Sequence, residues 1–240
     1  MPERSDFKGK LVAVMAKAFW DSQIKQLHQK IAEVNIDIDK FMAFFLSLEK
    51  ESDRVLAVIS FFYIESQMTD LMVKGFNADI PGDSQSLVET GGPLDSASSR
   101  MKVCAALYWI SKKVYHDLDL LRKIRNEFAH NPDAVDLTHK KINGYISSME
   151  KVEEIMIKAA GLEIKPTLRQ SLHVRTTFLC STMIMDLLSS PIAIRMGLPH
   201  DAARASNFDS QPEIFRQLAR AAAEVTVTVL GFPKEAEPGS

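Results

Sequence analysis

Residues 111–130 read SKKVYHDLDLLRKIRNEFAH, and this stretch decides the fold. Ser111 stands where a helix cap is needed, apolar residues follow at helical spacing, and Asn131-Pro132 ends the run because proline biases the residue before it out of the helical region. One helix ending at His130 is expected. At about 100° per residue, Val114, Leu118, Leu121, Ile124 and Phe128 share one arc, which is the core face. Tyr115, Asp119, Arg122, Asn126 and His130 form a polar stripe through spacings of three and four.

Arg125 falls inside the apolar arc, roughly 40° from Leu121 and about 20° from Leu118. A guanidinium cannot shed its proton, so an arginine aimed at a core needs a carboxylate. Glu51, Asp53, Glu65 and Asp117 are the candidates. The charged run ESDR, Glu51 to Arg54, is favoured, with Glu65 read as an exposed edge position.

The stretch GGPLDSASSRMKVCAALYWISKKVYHDLDLLRKIRNEFAH, with ESDR some forty residues before it, resembles the mannitol operon repressor family of bacterial regulators. The likeness runs from Glu51 to His130 and combines ESDR, the turn Gly92-Pro93-Leu94, Arg100 and the helix ending DLDLLRKIRNEFAH. It departs from the family pattern in the turn, at Asp95 and Ala97. The resemblance implies a transcriptional regulator that is not an enzyme, lacks a DNA-binding module and works through protein contacts. Glu51, Asp53, Arg54, Gly92, Pro93, Leu94, Arg100, Asp119, Arg122, Arg125, Asn126 and His130 are its structural or interaction candidates.

The helix ending also carries Arg-Asn-x-x-x-His, which resembles the catalytic signature of HEPN-type ribonucleases, small helical domains that cut RNA without metal. That resemblance implies Arg125 holding a phosphate as charge develops, Asn126 orienting, and His130 moving protons across a dimer interface. Read from the residues alone, His130 lies in the last turn, where it can cap a free carbonyl and is favoured by the helix dipole.

Composition sets the class. With 46% hydrophobic and 25% charged residues the chain is an ordinary globular one, and ten Gly and ten Pro leave little room for a turn-rich β fold. An all-α bundle of about seven or eight helices is expected, with residues 1–160 as the bundle, 161–240 as a helical extension packed on it, and a disordered tail at 231–240. The net charge of −2 gives no general attraction to phosphate backbones, and the basic residues of KKVYHDLDLLRKIR alternate with Asp117 and Asp119. Strong direct DNA binding is therefore not expected; the partner is another protein, and a homodimer is allowed. Cys104 and Cys180 sit in apolar patterns and read as reduced core residues. No phosphate-cradling loop or metal-ligand spacing calls for a cofactor or metal; His116 and His130 lie about 21 Å apart along one helix. The N-terminal apolar run is too short for a membrane span, which points to a cytoplasmic protein.

Along the chain, Leu11, Met15, Phe19, Ile24, Leu27 and Ile31 mark a first helix or two short ones, read as core. Phe41, Phe44, Phe45 and Leu48 mark the next, capped by Asp37 or Asp39. Residues 52–76 are apolar on most sides, as suits a central helix. Residues 77–99 form the longest break and the first place to expect a binding lid. Ser96 or Asp95 caps the following helix. Leu137 to Ala160 reads as one long amphipathic helix closed by Gly161, 166–190 as another, and Pro212 to about Leu230 as the last.

Overall fold

The computed structural model describes residues 3–76, 83–131, 136–204 and 207–232. Nine α-helices and no strand occur among them: α1 (Glu3–Ala32), α2 (Ile38–Ser47), α3 (Asp53–Gly75), α4 (Ala97–Ala106), α5 (Lys112–His130), α6 (Lys140–Ser148), α7 (Val152–Ala159), α8 (Leu168–Arg195) and α9 (Glu213–Val229). The class is the expected one, with more helices than the seven or eight read from the sequence. Residues 233–240, most of the expected tail, lie outside the described residues, as do 77–82 of the long break.

The helix ends follow local chemistry. Asp37 caps α2 by accepting from the Lys40 N–H at 2.8 Å, Ser52 caps α3 and Ser96 caps α4. Ser111 caps α5 through the Val114 N–H at 3.2 Å. Thr167 and Gln170 form a reciprocal capping box on α8. Gly161 takes the left-handed conformation (φ 67°) just past α7, where a side chain would be strained.

The expected helix from 137 to 160 is broken in two. Asp117 of α5, itself buried, accepts the Glu150 N–H at 3.1 Å, and Arg175 of α8 donates to the Ile146 carbonyl. Both groups would otherwise serve a continuous helix, so side chains from two neighbouring helices set the break between α6 and α7.

One hydrophobic core joins all of this. α3 packs against α8 and α5, while α8 also meets α9, α7, α1, α5 and α6, so residues 168–195 occupy its middle. Both α3 and α8 are long and apolar enough to cross a membrane; α8 buries most of that surface inside the bundle. Gly75 lets the end of α3 come close to its neighbours: an added Cβ would lie 3.1 Å from Trp109 Cζ3 and 3.3 Å from Pro191 Cγ. Cys104 and Cys180 are free and buried; burial pushes the Cys104 thiol up to about 12 and the Cys180 thiol up as well.

The first helix departs from expectation. Leu27 and Ile31 are fully buried and Ile24 partly so, but Leu11, Met15 and Phe19, read as core, stand in solvent with Val12, Val14 and Trp20. The apolar period is present, but residues 10–22 are all exposed and burial begins only at Gln23. Within the bundle that helix meets α8, α9 and the turn at 202–204.

Candidate functional site: the motif residues of α3, α4 and α5

The family-like residues fall into three clusters. In the first, ESDR opens α3. Ser52 caps the helix, Glu51 is exposed in the preceding turn, and the Arg54 guanidinium lies 5.9 Å from the Phe128 ring centre. Asp53 does not meet Arg125. Its Oδ1 accepts from Arg169 Nη1 at 2.9 Å and its Oδ2 from the Leu137 N–H at 3.3 Å. Arg169 Nη2 also donates to the carbonyls of Leu48 and Glu49, at 2.9 and 3.1 Å. The run thus ties the start of α3 to α8, more than a hundred residues away.

The second cluster is the turn before α4. Arg100 is buried and donates from Nη1 to the carbonyls of Leu94 and Asp95, both at 2.9 Å, and from Nη2 to Glu65 of α3. Glu65 is therefore neither an exposed edge residue nor a partner of Arg125: it holds Arg100. Gly92 is required by space, since an added Cβ would lie 2.5 Å from the Ser86 carbonyl oxygen and 2.7 Å from that of Leu87. Leu94 N–H closes the turn on Leu87 O at 2.9 Å, and Pro93 is exposed between them. The described part of the long break is a braced turn fixed to α3 by one arginine, despite the departures at Asp95 and Ala97. Asp95 contributes its backbone carbonyl to Arg100, a contact that any side chain there permits.

The third cluster is α5. Its apolar arc is buried as expected: Val114, Leu118, Leu121, Ile124 and Phe128. On the polar stripe, Asp119 accepts from Arg122 Nη2 at 2.7 Å and from Lys123 at 2.8 Å. Burial raises the Asp119 carboxyl, but the hydrogen bonds from Lys123 and Arg122 outweigh it and hold the group below its ordinary range. Arg125 finds no carboxylate among the described residues. It is half-buried, donates from Nη1 to Asn126 Oδ1 at 3.0 Å, and lies 4.9 Å from the Phe62 ring centre and 5.9 Å from that of Phe61. Arg125 is thus only half-buried, like its neighbours Arg122 and Lys123, and its guanidinium lies beside the exposed Phe62 ring instead of a core carboxylate. His130 is exposed in the last turn, and five residues of helix separate it from Arg125 by about 140°.

The strongest polar pair escaped the sequence reading. Glu153 and Arg175 are both buried, with Nε 3.0 Å from each carboxylate oxygen. A signal was there: Glu153 continues the spacing Ile146, Met149, 153, Ile157 along the buried stripe, a position an unpaired carboxylate avoids. Asp186 was likewise missed; burial raises its carboxyl, and it holds both Arg204 and the Ser111 N–H, the latter at 3.0 Å.

Comparison with known proteins adds one finding. The family model described as mannitol repressor matches residues 58–177, from the first turns of α3 into α8 and half of the chain. Searches of curated proteins and of solved structures return no match. The matched segment holds the Arg100–Glu65 brace, the whole of α5 and the Glu153–Arg175 pair, so the chain belongs to the mannitol repressor family.

Proposed function

We propose that this chain is a non-enzymatic regulator of transcription that lacks a DNA-binding module and acts in the cytoplasm by binding another protein. The observation that carries the reading is the outward surface of α1. Leu11, Val12, Val14, Met15, Phe19 and Trp20 are from 44% to 66% exposed within ten residues of one helix. Large apolar side chains gathered in this way mark interaction surfaces. The charges of α5 support the second half of the proposal. Lys113 pairs with Glu150, Arg122 and Lys123 share Asp119, and Lys141 of α6 pairs with Glu127, so this basic run offers few unneutralised cations to a phosphate backbone.

The test compares transcripts of cells lacking the gene after complementation with the parent or with a Met15→Asp/Phe19→Asp variant. The variant should fail to restore control while its melting temperature matches the parent's. Promoter DNA from the affected operon should not shift with purified protein alone at nanomolar concentration, whereas specific duplex binders reach about 10⁻⁸ M or tighter. Restored control by the variant, or a salt-dependent nanomolar shift by protein alone, overturns the proposal. A homodimer through the same face would appear as a doubled mass that the variant loses.

A second reading, a metal-independent HEPN-type endoribonuclease using Arg125, Asn126 and His130, rests on the carboxylate-free, half-exposed Arg125 bound to Asn126. It requires cleavage of added RNA by the pure protein that disappears in His130→Ala.

A further inference from the structure

The last turns of α1, α3 and α8 meet around a cavity of about 430 Å³. That volume lies within the range of about 300–1,000 Å³ usual for small-molecule sites. Leu71, Leu187, Leu188 and Pro191, all buried, form the apolar wall, and Val34, Ile192 and Met196 extend it outward. The mouth has a different character: Lys30, Lys74 and Arg195 stand there against one carboxylate, Glu33, in a chain whose net charge is −2.

Basic residues in last turns ordinarily serve the helix ends themselves. Here several nearby carbonyls already have donors, and only Arg195 of the three basic residues is among them. Ile31 O accepts from the Val34 N–H, Met72 O and Val73 O from the Phe76 N–H, Ile192 O and Ala193 O from the Met196 N–H, and Gly75 O from Arg195 Nη1 at 2.7 Å. The ammonium groups of Lys30 and Lys74 have neither carboxylate nor carbonyl partners among the described residues. Two exposed cations and the remaining N–H groups of Arg195 therefore border a cavity with one apolar wall.

We propose that this cavity binds an amphipathic organic anion, with a hydrocarbon body against the α3–α8 wall and one anionic head, a carboxylate or its equivalent, held by Lys30, Lys74 and Arg195. The hydrocarbon body is assigned to that wall because Leu71, Leu187, Leu188 and Pro191 have side chains without hydrogen-bonding groups. The site goes beyond the regulatory reading and stands without it. A ligand seated there touches α1 and α8 together, at the end of α1 that is packed on the bundle.

Trp109 makes the binding measurable, since its ring packs against Gly75 and Gly75 lines the cavity. The chain has two tryptophans, so Trp20→Phe at an exposed position leaves Trp109 as the single reporter. In that background the full chain is titrated with decanoate below the concentration at which it forms micelles, with decan-1-ol, and with vesicles of phosphatidylglycerol. Decanoate should change the Trp109 emission saturably, and decan-1-ol should bind at least tenfold more weakly. Lys30→Glu/Lys74→Glu should weaken decanoate at least tenfold with an unchanged melting temperature, both side chains being exposed. Ile192→Phe, which narrows the cavity without altering charge, should weaken decanoate and decan-1-ol alike. No saturable response, equal affinity for acid and alcohol, unchanged binding by the double variant, or a response to vesicles without one to monomeric decanoate would each overturn the proposal.

Discussion

Arg175 of α8 and Glu153 of α7 meet inside the bundle, with the arginine Nε equidistant at 3.0 Å from both carboxylate oxygens and neither side chain reaching solvent. The same guanidinium takes the Ile146 carbonyl, so it holds the end of α6 and the start of α7 at once. Glu153→Ala leaves that cation buried and unpaired and should cost about 3–5 kcal/mol. Urea unfolding checks this. A loss below about 1 kcal/mol means that the charge finds water or another partner.

Arg125→Ala should be much milder. Its interactions are one hydrogen bond to Asn126 and two ring contacts at the edge of the core, together worth about 1–2 kcal/mol. A loss of the size expected for Glu153→Ala would show that Arg125 has a charged partner after all.

His173 gives a pH dependence. Burial lowers its pKa below 6.5, the contact with the Phe45 carbonyl opposes this in part, and Nε2 lies 2.8 Å from that oxygen. The folded state therefore holds the ring neutral, with Nε2–H donating. Because the folded pKa is below the unfolded one, this contribution is complete above pH 6.5 and is lost as pH falls from there toward the folded value, by up to about 1.4 kcal/mol per pH unit. The stability difference between parent and His173→Gln should thus shrink from pH 7.5 to pH 5.5, which paired thermal melts at the two values measure. A constant or growing difference would contradict the assignment.

The parts of the fold legible in the sequence were those governed by neighbours in the chain. The α5 boundaries, its buried arc, the Asp37 and Ser96 caps and the positive φ of Gly161 all follow from local chemistry. What stayed hidden was set from a distance. Asp53 went to Arg169 because α8 returns beside α3, and no spacing rule pairs residues 116 apart. The α6–α7 break depends on Asp117 and Arg175, both outside the segment. Periodicity showed that α1 has an apolar face, but whether that face has a partner depends on where the bundle ends. At the motif residues, Arg100 and Gly92 were legible as important, while their task of bracing a turn against Glu65 needed coordinates.

The central place of α8 has a consequence for the order of events during synthesis. The helix that fills the middle of the core is, among the described residues, the last but one to leave the ribosome. Until it emerges, the faces of α3 and α5 that it covers stay open, and the aspartate at the head of α3 lacks its Arg169 partner. The nascent chain must carry that uncovered apolar surface from the synthesis of α3 until α8 is made, the condition under which chaperones bind and neighbouring chains aggregate. Slowing translation before residue 168 prolongs this vulnerable interval, and speeding it through α8 shortens it.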